Sequence, residues 1–322
     1  MHQFVNGEWL SEEEYQATNE SGEFERQPTS FREFIGEEYP AESGRYHLYV
    51  SYACPWAHRT LITRKLKGLE DAISVDYVDP YRDEDGWQFT PGKKGCSADS
   101  INGFDYLREA YVEADPEYTG RVTVPVLWDR EEETIVNNES KEVMRMLDTA
   151  FDGNGVDLYP EGYREAVDDR IEAIYEPINN GVYRAGFAES QKAYDSAVRE
   201  LFNELDRWDE VLADQRYLAG DRLTEADIAM YTTLVRFDQV YHTHFRCNRK
   251  HIYEYDNLWP YLRDLYQTPG FGETTNMSHI KEHYYTTHDS LNPKKLIPVG
   301  PNLDFEAPHG RDALPGEPPL PQ

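Results

Sequence analysis

Cysteine is scarce in this chain. Cys54, Cys96 and Cys247 are the only three in 322 residues, too few and too scattered for a disulfide framework. That scarcity fits a reducing compartment. Positive charge is also short: 32 Lys and Arg face 61 Asp and Glu, a formal net charge of −29, which repels nucleic acid and anionic membrane surfaces and argues against both as partners. No stretch approaches the length of a membrane span, and Met1-His2-Gln3-Phe4-Val5 is not a basic segment leading into an apolar run. A cytoplasmic protein is expected. The acidity runs along the whole length and is not gathered in one tail, and 13% aromatic residues point to a folded chain. Diffuse acidity of this kind suits a cytosol of very high salt, where screening removes self-repulsion, so a halophilic source is expected.

What is present is organised around Ser51-Tyr52-Ala53-Cys54-Pro55-Trp56-Ala57-His58-Arg59. Before it, Tyr46 to Tyr52 is aromatic and β-branched with Leu48 and Val50 alternating against their neighbours, which predicts a half-buried strand. After it, Leu61, Ile62, Leu66 and Leu69 recur at helical spacing, and Pro55 suits a first helical turn. Cys54 therefore stands at a helix N-terminus, where backbone N–H groups and the helix dipole favour a thiolate nucleophile. Position 57 is Ala, not a second cysteine. Any disulfide formed by Cys54 must be with a substrate or small thiol, and an external thiol must resolve it.

Residues 1–45 mix charge, Ser, Gly and scattered aromatics without periodicity and are expected to wrap a domain without carrying function. From Tyr46 the order is strand, helix, then the strand Ile73 to Val78, a βαβ unit with a parallel pair. A long irregular stretch from Asp79 to Gly120 follows, the kind of loop that is functional or covers something. Arg121 to Asp129 and Glu133 to Asn138 read as a hairpin. Pro125 cannot donate to a ladder, and a cis Val124–Pro125 bond would explain it. A helix starts near Glu139-Ser140, with Asn138 as candidate N-cap. This order is that of a thioredoxin-like domain, 46–155. Beyond Tyr159-Pro160 the pattern is helical, over 156–301: Arg164 to Ile178, Gln191 to Leu212, a capping-box start at Thr224-Glu225-Ala226-Asp227, and Leu258 to Leu265. Residues 302–322 are a Pro- and Gly-rich tail, expected to be poorly ordered.

An α/β thioredoxin-like domain followed by an all-α domain resembles the glutathione transferases. Cys-Pro-Trp-Ala, Thr-Val-Pro-Val-Leu-Trp-Asp (123–129), Asn-Asn-Glu-Ser (137–140), Asn-Asn-Gly-Val-Tyr-Arg-Ala-Gly-Phe-Ala (179–188) and His-Tyr-Tyr-Thr-Thr-His with Asn-Pro after it (283–293) narrow the resemblance to the glutathionyl-hydroquinone reductases, the Xi class. It spans roughly residues 30–301. It implies that Cys54 takes the thiol from a glutathionyl-hydroquinone adduct as a mixed disulfide, releasing hydroquinone. It implies Tyr183 and Tyr284 as pocket tyrosines able to donate a proton, with Tyr285 a less certain third. For the thiol cofactor it implies Glu139 and Ser140 at the γ-glutamyl end, Val124 pairing its backbone with the cysteinyl amide, and Arg121 and Trp87 contacting the rest of the tripeptide. A homodimer is implied too. The cofactor is glutathione or, given the acidic composition, a related γ-glutamyl thiol such as γ-glutamylcysteine. No metal is expected, because His242, His244, Cys247 and His251 depart from zinc spacings. A glutaredoxin-like thioltransferase or dehydroascorbate reductase would share Cys54 without needing the two tyrosines, and a non-catalytic binding protein on the same fold would need neither.

Overall fold

In the computed structural model, which describes residues 2–10, 18–36 and 38–316, a hairpin of β1 (Gln3–Val5) and β2 (Glu8–Leu10) precedes β3 (Tyr46–Val50). There follow α1 (Pro55–Leu66), β4 (Ser74–Tyr77), α2 (Leu107–Ala114), β5 (Val126–Asp129), β6 (Thr134–Asn137) and α3 (Ser140–Thr149). The strands form one sheet in the order β4-β3-β5-β6, with β3 parallel to β4 and antiparallel to β5, and β5 antiparallel to β6. This is the thioredoxin-like arrangement that the sequence pattern predicts. Pro125 sits just before β5, so it removes no ladder bond, and the Val124–Pro125 peptide is cis.

The half-buried strand is a misreading: all five residues of β3 are buried. The stretch after β4 is the reason, since it covers the face carrying His47 and Tyr49; it is not irregular throughout as expected, because α2 (Leu107–Ala114) forms within it behind a Tyr106–Glu109 capping box. The Tyr49 hydroxyl donates to Asp99 at 2.9 Å and its ring meets Phe89 edge-on. His47 Nε2 lies 3.2 Å from Asp76, which also accepts from Ser97 Oγ at 2.8 Å and Ser100 N at 2.7 Å. Burial alone would raise the Asp76 carboxyl, but the hydrogen bonds from His47, Ser100 and Ser97 more than reverse this and hold it at about 2 against an ordinary 3.8. A depressed carboxylate contributes stability that is present above its unfolded value and is lost as pH falls through its folded one. Acid unfolding of the native chain should therefore include a loss of about 1 kcal/mol between about pH 4 and about pH 2. Asp76→Asn should flatten the stability curve in that window, as measured by denaturant titration at stepped pH.

The second unit comprises Thr18–Glu25, Gly155–Thr275 and Pro298–Gln322. Its helices are α4 (Arg164–Ile174), α5 (Gly181–Gly186), α6 (Gln191–Val211), α7 (Glu225–Arg236), α8 (His242–His244) and α9 (Leu258–Gln267), with π turns over Tyr175–Asn179 and Phe237–Tyr241. The apolar positions at helical spacing, among them Val167, Ile171, Ile174, Leu201, Leu205 and Trp208, are buried. The helix predicted to run to Ile178 changes to a π turn after Ile174. The Pro-rich end is not a loose tail where it is described: Arg311 is buried and donates to the carbonyls of Leu212, Gln215 and Arg216.

Chain order and packing part company at α10 (Met277–Thr287). The sequence reading carries the helical domain to residue 301, whereas Asn276–Ile297 groups with Met1–Ala17 and Arg26–Asn154 in the first unit. Two histidines one turn apart on α10 account for this. His279 Nε2 is 2.8 Å from the Lys94 carbonyl and its ring abuts Tyr52, while His283 Nδ1 is 2.6 Å from the Pro80 carbonyl and its ring stacks on Trp87.

Candidate active site

Cys54 is the N-cap residue of α1, with extended backbone (φ −76°, ψ 123°) and Pro55 directly behind it. The side chain is half-buried, and its thiol donates to the Val124 carbonyl at 3.4 Å. The structure thus brings together two residues that are 70 apart in sequence. His58, one turn on, is fully buried.

Glu139 and Ser140 open α3. Glu139 is the N-cap, its Oε1 accepting from the Lys141 amide at 3.3 Å. Asn138, expected to be the cap, is committed elsewhere: its Nδ2 donates to the Tyr111 hydroxyl at 3.1 Å and its Oδ1 accepts from the Phe31 amide at 3.3 Å. Ser140 is 3% exposed, and among the described residues its Oγ has no hydrogen-bond partner. A buried hydroxyl left in that state is costly without a ligand or water. Tyr111, which the sequence reading passed over, ties this helix start to the cysteine side. Its hydroxyl donates to the Thr123 carbonyl at 2.9 Å, next to Val124. A tyrosine in a chain with 24 of them carries no signal by itself.

Trp87 is buried and half-covered by His283, ring centroids 5.1 Å apart at 19°. His283 adjoins Tyr284, which is 1% exposed and also lies against His288. Tyr285 is 4% exposed, its carbonyl held by Asn292 Nδ2 at 2.6 Å. Trp87, Tyr284 and Tyr285 thus share the first unit with Cys54. Arg121 is half-buried there too, its carbonyl accepting from the Tyr118 hydroxyl at 2.9 Å. Tyr183 belongs to the second unit, in an aromatic cluster with Phe24, Phe187, Tyr241 and Phe245 at centroid distances of 5.4–6.4 Å. Its amide follows the π turn, bonded to the Asn180 carbonyl at 2.9 Å.

The other two cysteines are differently placed. Cys247 is fully buried, which pushes its thiol well up, and burial also raises half-buried Cys96. His242 and His251 stack on each other at 3.5 Å, and among the described residues no group of three or more His, Cys, Asp and Glu is placed to hold a metal. No helix of the described residues is long and apolar enough to cross a membrane.

A thioredoxin-like unit with a cysteine capping its first helix beside a cis Val-Pro peptide, in one chain with an all-helical unit, defines a glutathione transferase. The N-terminal domain of the glutathione S-transferases matches residues 53–150, and their C-terminal domain matches residues 191–267. The glutathionyl-hydroquinone reductase YqjG of Escherichia coli is 48% identical over 97% of this chain and 99% of its own length. Its glutathione-bound structure superposes with a TM-score of 0.84, at 52% identity over 87% of this chain and 92% of that one. The Xi-class transferase of Natrialba magadii is 66% identical over 98% of both chains, with a TM-score of 0.93. This chain belongs to the glutathionyl-hydroquinone reductases, the Xi class of the glutathione transferases.

Proposed function

We propose that this protein reduces glutathionyl-hydroquinone-type adducts with a γ-glutamyl thiol, through a mixed disulfide on Cys54. The observation that carries the proposal is the end-to-end match with an enzyme named for that activity, joined to a cysteine at a helix N-cap. The Cys54 thiolate attacks the thioether sulfur, forming an S–S bond as the carbon–sulfur bond breaks. The electron pair goes to the ring carbon, which takes a proton, and hydroquinone leaves. A second thiolate attacks the mixed disulfide, regenerating Cys54 and releasing the oxidised thiol.

Glutathione fits the chemistry of the residues assigned to it. Glu139 offers an anion to the γ-glutamyl ammonium, and the orphan Ser140 hydroxyl at the start of α3 offers a donor to its carboxylate. The Val124 carbonyl, which Cys54 engages, is the acceptor for a cysteinyl amide. Arg121 and Trp87 complete the set by family resemblance. γ-Glutamylcysteine would use the same Glu139, Ser140 and Val124, and a homodimer is the proposed working form by family analogy.

Tyr183 and Tyr284 are the proposed proton donors, with Tyr285 in reserve. A phenol can hydrogen-bond the substrate hydroxyl and then deliver a proton. The test is release of menadiol from glutathionyl-menadiol by purified protein in high salt, with glutathione or γ-glutamylcysteine as reductant. The native chain should release it, and Tyr183→Phe with Tyr284→Phe should slow release about a hundredfold while leaving disulfide exchange with a small mixed disulfide within about twofold. If both reactions survive in the double variant, the proton-donor role of the two tyrosines fails and the tyrosine-independent thioltransferase reading gains. No release by the native chain with either thiol sinks the reductase reading.

A further inference from the structure

We propose that Thr29, in the segment preceding the sheet, is a positioning residue for the thiol cofactor: its hydroxyl orients the Glu139 carboxylate toward the γ-glutamyl ammonium. This rests on the role given to Glu139 above and departs from the expectation that residues 1–45 carry no function.

Thr29 Oγ1 donates to Glu139 Oε2 at 3.3 Å across 110 residues of sequence. The N-cap bond from the Lys141 amide falls on the other oxygen, Oε1. One carboxylate is therefore gripped at both oxygens, and its remaining lone pairs are still available to a cation. A glutamate side chain has three rotatable bonds, and restricting them before the ligand arrives lowers the ordering cost of binding.

The segment around Thr29 is fixed to the first unit on both sides. On one side, Phe31 to Glu33 run antiparallel beside β6: the Asn138 amide donates to the Phe31 carbonyl at 3.1 Å, the Glu33 amide to the Val136 carbonyl at 3.0 Å, and Asn137 Nδ2 to the Glu33 carbonyl at 3.0 Å. On the other side, the Arg26 guanidinium lies over the Trp56 ring, 4.8 Å from its centroid, with Arg59 also 4.6 Å from that ring. Trp56 is two residues after Cys54. Residues 26–33 thus run between the N-terminal turns of α1 and α3, which hold the nucleophile and the γ-glutamyl pair. Arg32, the nearest cation on the segment to pair with α3, is taken by both oxygens of Glu142, its Nε donating at 2.6 Å.

The experiment compares full-length native protein, Thr29→Val, Thr29→Ser and Glu139→Gln, measuring KM for glutathione, kcat and the thermal midpoint in high salt. Thr29→Val should raise KM about five- to tenfold, the net worth of an ordinary hydrogen bond, with kcat within about twofold and the midpoint unmoved. Thr29→Ser should restore the native KM. In a Glu139→Gln background Thr29→Val should add little, because the carboxylate charge that Thr29 orients is already gone. If Thr29→Val matches the native chain while Glu139→Gln raises KM, the proposal fails and the γ-glutamyl site stands. If Glu139→Gln itself leaves KM unchanged, the assignment of Glu139 fails. A fall in midpoint with KM and kcat moving together would make Thr29 a purely structural residue and overturn the proposal.

Discussion

Cys54→Ser should cut menadiol release from glutathionyl-menadiol by at least about 10⁴-fold, with no thiol adduct at that position in the intact mass. The substitution keeps the size and the N-cap geometry and removes the sulfur. A serine hydroxyl at the same place is barely ionised at neutral pH, and an alkoxide would give an unstable S–O bond in place of a disulfide that a second thiol can open. The midpoint of unfolding should change little, because the half-buried thiol donates to a carbonyl that a hydroxyl can also donate to. Cys96→Ser is the matched control and should retain activity, since its sulfur faces the Val78 carbonyl at 3.8 Å and burial disfavours its thiolate. Activity surviving in Cys54→Ser would remove the mixed-disulfide route altogether.

Asp227→Ala should be the most damaging single change to stability, about 3–5 kcal/mol. The residue is fully buried at the start of α7. Its Oδ1 accepts from the Leu218 amide and the Tyr261 hydroxyl, both at 2.8 Å, and its Oδ2 from the Thr224 amide at 2.9 Å and the Thr224 hydroxyl at 3.1 Å. Burial pushes its carboxyl up to about 6, with these donors pulling the other way. Alanine leaves four donors facing an apolar gap, and each buried orphan bears its full desolvation penalty. Asn is not a rescue, because its amide would aim N–H groups at one of the two donor sets. Urea unfolding followed by tryptophan fluorescence measures the loss. A cost under about 1 kcal/mol would mean that the cap is redundant with the packing of Ile228, Ala229 and Met230.

The capping box itself was readable from Thr224 and Asp227 because it is a local device, set by residues three apart on one turn. The same locality made the strand-to-helix turn at Cys54 readable. Pro in a strong β pattern pointed to the cis peptide at Val124, since a ladder position would lack a donor. Asn138 shows the limit of such reasoning. It is a good N-cap by type, yet Tyr111 and Phe31 claim its side chain from 27 and 107 residues away.

The sequence by itself determined the order β3-α1-β4-β5-β6-α3 but not α2 or the β1-β2 hairpin, and with it the candidate nucleophile, the capping of α7 and the family, because each rests on residue types at short, regular spacing or on motifs kept in order. Tertiary structure alone decided which distant segments complete the thiol-binding unit. Residues 276–297 join it through His279 and His283. Tyr111 links the cap of α3 to the residue before Val124, and Thr29 reaches Glu139 from the amino-terminal segment. None of these has a local signature. A histidine, a tyrosine or a threonine fits many surroundings equally well, and only long-range backbone pairing and burial select the one atom that each will meet.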